Sequence, residues 1–115
     1  MKTALFAFNG ELVCFAHVLL NALDMKKRGH EVVVVIEGMA TKLVKELHEN
    51  SDKPFAPLYQ QVKEAGLIAG VCMACSQKTG AVESAREQGL ELCDEMAGHP
   101  SVARFMEEGY AIITF

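Results

Sequence analysis

The chain has 115 residues, of which 50% are hydrophobic, and its formal net charge is −4 at pH 7. This length suits one domain with its own hydrophobic core, so we expect residues 1–115 to form a single domain. An acidic chain whose longest basic run is residues 26–28 is a poor candidate for binding nucleic acid or an anionic membrane surface.

Apolar runs and amphipathic stretches alternate along the chain, and Gly, Pro and Asn punctuate them. In chain order we predict a strand (4–8), a helix (12–28), a strand (31–36), two helices (41–48 and 55–65), a strand (67–71), a short helical turn ended by Gly80, a helix (81–88), a short strand (90–93), a helix that begins near Pro100 and a final strand (110–115).

Three local features refine this prediction. The consecutive valines of 31–36 indicate a strand that is covered on both faces. Phe55 is expected on the apolar face of the third helix, and Pro100 at or near the first position of the last one. Val102, Phe105 and Met106 are expected on the apolar side of that last helix.

Strands that alternate with helices indicate a parallel sheet with helices on both faces. The predicted fold is α/β, a three-layer α/β/α sandwich with a mostly parallel five-stranded sheet, and no linker or repeat suggests a second domain. No apolar run is long enough to span a bilayer. Because the sequence shows no export signal, we expect the four cysteines to be reduced thiols in the cytoplasm.

The strongest chemical signal is the pair Cys72 and Cys75, which directly follows the third predicted strand. Open α/β proteins place their sites just beyond the carboxyl ends of the strands, and a helix N-terminus favours a thiolate. We therefore expect Cys72 to ionise easily, to be accessible from outside and to attack a disulfide or a persulfide. Cys75 is expected to resolve the intermediate by forming a disulfide.

Four other residues are predicted at or near the same edge of the sheet: Cys14, His17, Cys93 and His99. Cys14 and Cys93 are best interpreted as packing residues, because free cysteine is often buried as a small hydrophobe. His17 is interpreted as an ordinary helix residue, and His99 as either a helix cap or a group that acts on sulfur. No second Cys-x-x-Cys pair and no nucleotide-binding motif is present, so we expect neither a cofactor nor a bound metal in the leading interpretation.

These motifs, in this order, resemble the DsrE/DsrF-like family of sulfur-relay proteins, which includes TusD-type and YchN-like members. The resemblance covers nearly the whole chain and is carried by residues 4–28, 29–32, 71–75 before Gly80, and 109–115. It implies a parallel α/β/α sandwich, homo- or hetero-oligomers that are often trimers or hexamers, and partner proteins that donate and accept sulfur. For this chain we expect a homo-oligomer (trimer or hexamer).

In relay members of this family, a cysteine just past the third strand carries a persulfide, and Cys72 occupies that position. Several of those members have no cysteine where this chain has Cys75, so the resemblance does not imply a resolving role for it. The leading hypothesis is therefore a cytoplasmic sulfur carrier, similar to sulfurtransferases, with a persulfide on Cys72.

Two other classes of function remain open. In the first, Cys72 and Cys75 bind a metal together with one of Cys14, Cys93, His17 or His99. In the second, the protein is a ligand-binding or partner-binding subunit that has inert cysteines and no catalysis of its own.

Overall fold

The computed structural model describes residues 1–115, and the types and order of its elements agree with the prediction. The elements are β1 (Lys2–Ala7), α1 (Leu12–Lys27), β2 (Glu31–Ile36), a 3-10 turn (Gly38–Ala40), α2 (Thr41–Glu49), α3 (Ala56–Glu64), β3 (Ile68–Cys72), α4 (Met73–Thr79), α5 (Val82–Glu87), β4 (Leu92–Cys93), α6 (Val102–Glu107) and β5 (Ala111–Thr114).

All five strands are parallel and lie in the order β4-β3-β2-β1-β5. The chain therefore steps in one direction from β1 to β4 and then returns to place β5 on the far side of β1. Because crossovers between parallel strands are right-handed, the first three connections lie on one face of the sheet and the last lies on the other. This topology produces the predicted α/β/α sandwich with unequal outer layers.

The main core lies between the sheet and helices α1, α2, α3 and α5. Leu5, Val34 and Ile36 point from the strands into this core and are fully buried with Phe15 of α1 and Tyr59 of α3. Burying each of the large apolar side chains contributes about 1.5–3 kcal/mol. This core fixes the strands whose carboxyl ends hold the candidate site.

The opposite face of the sheet has a much smaller core, which contains Ala4, Phe6 and Val35. Only α6, which is 6 residues long, supplies helical cover there, through Phe105 and Val102. The ring of Phe105 packs edge-on against Phe6, with 5.4 Å between the ring centroids. The second layer of the sandwich is therefore thin.

Three local predictions are wrong. Phe55 precedes α3 in a left-handed conformation with φ of 69° and is 37% exposed, so it does not join the apolar face of that helix. Pro100 lies before Ser101, which caps α6 by accepting a hydrogen bond from the Arg104 N–H at 3.3 Å. Met106 is 61% exposed, so the packed side of α6 consists of Phe105 and Val102 without it.

None of the helices combines the length and the hydrophobicity that crossing a membrane requires.

Candidate functional site

Cys72 is both the last residue of β3 and the N-cap of α4. Its backbone is extended, with φ of −62° and ψ of 124°, and the helix begins at the next residue. Its sulfur accepts a hydrogen bond from the Cys75 N–H at 3.3 Å. The strand therefore turns into the helix without a loop, and both cysteines are held by regular secondary structure.

The two thiols and the imidazole of His99 form one cluster. The Cys72 thiol donates to the Cys75 sulfur, with 2.8 Å between the two Sγ atoms. His99 Nδ1 lies 3.1 Å from Cys72 Sγ and 3.7 Å from Cys75 Sγ. All three potential ligand atoms lie within 4.8 Å of one another.

The connection between β4 and α6 carries His99 to this position. A tight turn pairs Met96 with His99, and the Ala74 N–H donates to the Gly98 carbonyl at 2.9 Å. Gly98 has φ of +92°, and a Cβ there would approach the Ala74 Cβ to 3.1 Å. A glycine is therefore required at this point to seat the turn on the start of α4.

Burial controls the ionisation of Cys72, which has no exposed surface. Removal from water, followed by the hydrogen bond that its S–H donates to Cys75, raises the pKa of Cys72 to about 12. The hydrogen bond from the Cys75 N–H acts in the opposite direction. The expectation that Cys72 ionises easily and is accessible from outside is therefore wrong for this conformation. One backbone N–H does not offset complete burial.

Cys75 is the half-buried member of the pair and faces the surface. It lines a surface cavity of about 550 Å³ together with His99, Lys78, Gln77 and Ala74. Cys75 also lines a smaller cavity of about 140 Å³ together with Met39 and Thr79. A molecule in solution therefore meets the cluster at Cys75 and His99, with the Lys78 cation nearby.

Glu37 is a residue of the site region that sequence reasoning missed. Because Ile36 pairs with Val71 across β2 and β3, Glu37 follows β2 beside Cys72. Glu37 is only 6% exposed, and burial, followed by repulsion from Glu95, raises its pKa to about 7. Its position directly after a buried strand was the signal that could have identified it.

The other predicted candidates do not join the cluster. Cys14 and His17 lie on α1, where Cys14 is half-buried and His17 is exposed. Cys93 pairs with Cys72 in the strand register but is buried against Gly70, where a Cβ would overlap its sulfur. Burial raises the pKa of Cys93, as it does for Cys72.

The sequence of all residues, 1–115, matches the family model described as the DsrE/DsrF-like family. The chain belongs to the DsrE/DsrF-like family. It is 31% identical over 97 residues to an uncharacterized protein of Methanocaldococcus jannaschii, a match that covers 84% of this chain and 76% of that protein. Membership in this family suggests a role in sulfur relay, and the cluster contains two thiols that such a role requires.

Two uncharacterized proteins of Archaeoglobus fulgidus are similar to parts of this DsrE/DsrF-like chain. One is 39% identical over 36 residues, which is 31% of this chain and 97% of that protein. The other is 36% identical over 50 residues, which is 44% of this chain and 82% of that protein. The similarity indicates common ancestry, but the names of these relatives state no activity.

The geometry of the cluster formed by Cys72, Cys75 and His99 supports two kinds of chemistry. Two sulfurs in contact with an imidazole can exchange sulfur, since the imidazole can accept a proton from a thiol. The same three groups are also ligands that zinc and other thiophilic metals prefer.

Proposed function

We propose that this DsrE/DsrF-like protein is a sulfur carrier that holds sulfane sulfur as a persulfide on Cys72. The observation that carries the proposal is the contact of the Cys72 sulfur with both the Cys75 sulfur and His99 Nδ1. Family membership supports a role in sulfur relay in the broader sense. The burial of Cys72 supports storage, because a buried persulfide is shielded from other thiols in solution.

The loading step requires a base, because the raised pKa of Cys72 keeps its thiol protonated at neutral pH. His99 Nδ1 is close enough to accept that proton. The resulting thiolate attacks the outer sulfur of a donor persulfide. The Cys72 persulfide forms, the bond between the two donor sulfurs breaks, and the donor thiolate leaves and takes up the proton.

The donor approaches from the side of Cys75, which lines the surface cavity with His99 and Lys78. The Lys78 cation stabilises the donor thiolate as it leaves. Cys75 then either shares the sulfur with Cys72 or resolves the persulfide, because the two sulfurs are in contact. This chemistry needs reduced thiols, which the cytoplasm maintains.

Protein partners and self-association belong to the same proposal. Donor and acceptor proteins would dock over the cavity, and a trimer or hexamer of this chain would present several such sites. Incomplete cover on the second sheet face supports self-association: Phe8, which stacks against Phe6 on that face, is 40% exposed.

The test is to locate the sulfur directly. Reduced protein is treated briefly with glutathione persulfide, blocked with an alkylating agent, digested and examined by peptide mass spectrometry. In Cys75→Ser we expect one extra sulfur on Cys72, and in Cys14→Ser, the matched cysteine control, we expect sulfur uptake equal to that of the wild type. The proposal fails if Cys75→Ser takes up no sulfur on Cys72. It also fails if Cys72→Ser retains bound sulfur for as long as Cys75→Ser does.

A second candidate function is metal binding by Cys72, Cys75 and His99, which the proximity of their ligand atoms favours. Zinc would need a fourth ligand, which water would provide, because no other His, Cys, Asp or Glu side chain joins the three in the cluster. Elemental analysis of protein purified without chelator distinguishes the two functions. Stoichiometric metal that is lost in His99→Ala but retained in His17→Ala would support the metal site, and metal-free wild type would reject it.

A further inference from the structure

We infer that the carried sulfur leaves the pair as sulfide, because Cys75 attacks the inner sulfur of the Cys72 persulfide and forms a Cys72–Cys75 disulfide. This inference rests on the proposed function and specifies the product of the same site. It makes the protein a dithiol that reduces sulfane sulfur, and not only a thiol that passes it on.

The geometry favours attack on the inner sulfur. Cys75 Sγ lies 2.8 Å from Cys72 Sγ, whereas a disulfide bond is about 2.05 Å long. Closing the bond therefore requires less than about 1 Å of sulfur movement. The inner sulfur of a persulfide on Cys72 is the atom that Cys75 already contacts.

The leaving groups favour the same outcome. Attack on the outer sulfur would expel the Cys72 thiolate, and burial makes that anion unfavourable by raising the pKa of Cys72. Attack on the inner sulfur expels hydrosulfide, which is a weaker base and a small ion. Since the less basic thiol leaves faster in such exchanges, the disulfide and free sulfide are the preferred products.

Atoms and electrons balance within the site. The Cys72 persulfide and the Cys75 thiol give the Cys72–Cys75 disulfide and one molecule of hydrogen sulfide. The bond between the two persulfide sulfurs breaks, the two cysteine sulfurs end as the oxidised pair, and the sulfane sulfur is reduced by two electrons. His99 Nδ1, which is 3.7 Å from Cys75 Sγ, accepts the proton of Cys75 and returns it to the departing sulfide.

The cavity and the rest of the chain fit this reaction. The cavity lined by Cys75 and His99 gives sulfide a path to solvent. No other cysteine competes, because Cys93 is buried against Gly70 and Cys14 lies on α1. A dithiol reductant must then reduce the disulfide, so the reaction that resets the protein belongs to the class of thiol–disulfide exchange.

The experiment measures sulfide, disulfide and bound sulfur after one addition of glutathione persulfide, with no reductant present. For the wild type we expect one sulfide per chain and a final mass that is two hydrogens below that of the reduced protein. Cys75→Ser should bind sulfur but release sulfide at least about tenfold more slowly. Cys14→Ser should behave like the wild type.

The outcomes separate this inference from the function on which it rests. A wild type that keeps its persulfide and forms neither sulfide nor disulfide overturns the inference while leaving the carrier role intact. Sulfide release from Cys75→Ser at the wild-type rate also overturns it. If no protein takes up sulfur at all, the proposed function fails, and the inference fails with it.

Discussion

His99 Nδ1 lies 3.1 Å from Cys72 Sγ although 27 residues separate the two in sequence. Cys72 ends the third strand of the sheet, and His99 lies on the connection that crosses from β4 to the opposite face. The contact supplies a base to a thiol whose burial opposes ionisation. The proposed sulfur chemistry at Cys72 therefore depends on a residue from a different part of the chain.

Replacing His99 with alanine removes the proton acceptor of the buried thiol. We expect His99→Ala to take up sulfur on Cys72 about 10²- to 10⁴-fold more slowly at neutral pH, the range typical of general-base catalysis. Rates of uptake measured by quenched-flow mass spectrometry check this. His17→Ala is the control, because His17 is exposed on α1. Equal rates for His99→Ala and the wild type would show that another group removes the proton.

Glu37 makes stability depend on pH. Its carboxyl group is protonated in the folded protein up to a pKa of about 7, whereas in the unfolded chain it ionises near 4.5. Between these values the unfolded state binds fewer protons, so stability falls as pH rises, by at most about 3 kcal/mol. Below pH 4.5 both states are protonated, and the penalty disappears.

Urea unfolding at pH 5 and pH 8 tests this effect in the wild type and in Glu37→Gln. In Glu37→Gln the free energy of unfolding should decrease much less between pH 5 and pH 8 than it does in the wild type, because the amide does not ionise. An identical pH dependence in both proteins would mean that Glu37 is solvated in solution.

Because Gly70 has no side chain, the sulfur of Cys93 packs directly against its backbone. A Cβ at position 70 would overlap that sulfur but would lie 3.8 Å from the Cys93 Cβ, which is an ordinary contact. We expect Gly70→Ala to destabilise the protein by about 1–3 kcal/mol, as overpacking usually does. Adding Cys93→Ala should restore most of the loss, as seen in a double-mutant cycle by chemical denaturation. Simple additivity of the two changes would contradict this packing.

The thinly covered sheet face predicts self-association. Replacing Phe8, which is 40% exposed on this face, with lysine should reduce the mass measured by light scattering to that of a single chain, because a buried charge would disfavour the interface. Leu20→Lys, at a site 50% exposed on α1, is the control and should keep the wild-type mass. If Phe8→Lys and the wild type have the same mass, the interface lies elsewhere or does not exist.

Periodicity and turn residues predicted the fold well, because the strands are apolar and the helices amphipathic. The same signals were weak at Phe55 and Pro100, where the chain leaves regular structure: a left-handed residue and a buried proline before the Ser101 cap have no periodic pattern. Helix and strand patterns report which faces are buried, and irregular connections show no such repeat.

The candidate site was only partly predictable. The spacing of Cys72 and Cys75 identified the pair, and the topology placed His99 near the same edge. The contact with His99 depends on the fold of a turn held by Gly98, and the burial of Cys72 depends on packing from several elements. Local sequence therefore located the chemistry but did not give its accessibility or its ionisation.

The most direct test of the central claim is the location of sulfur in Cys75→Ser after brief treatment with glutathione persulfide. Peptide mass spectrometry of the alkylated protein should find one additional sulfur on Cys72, and Cys14 and Cys93 should remain simple thiols. Sulfur found on those other cysteines, or Cys72 left unmodified, would contradict a persulfide carrier built around Cys72.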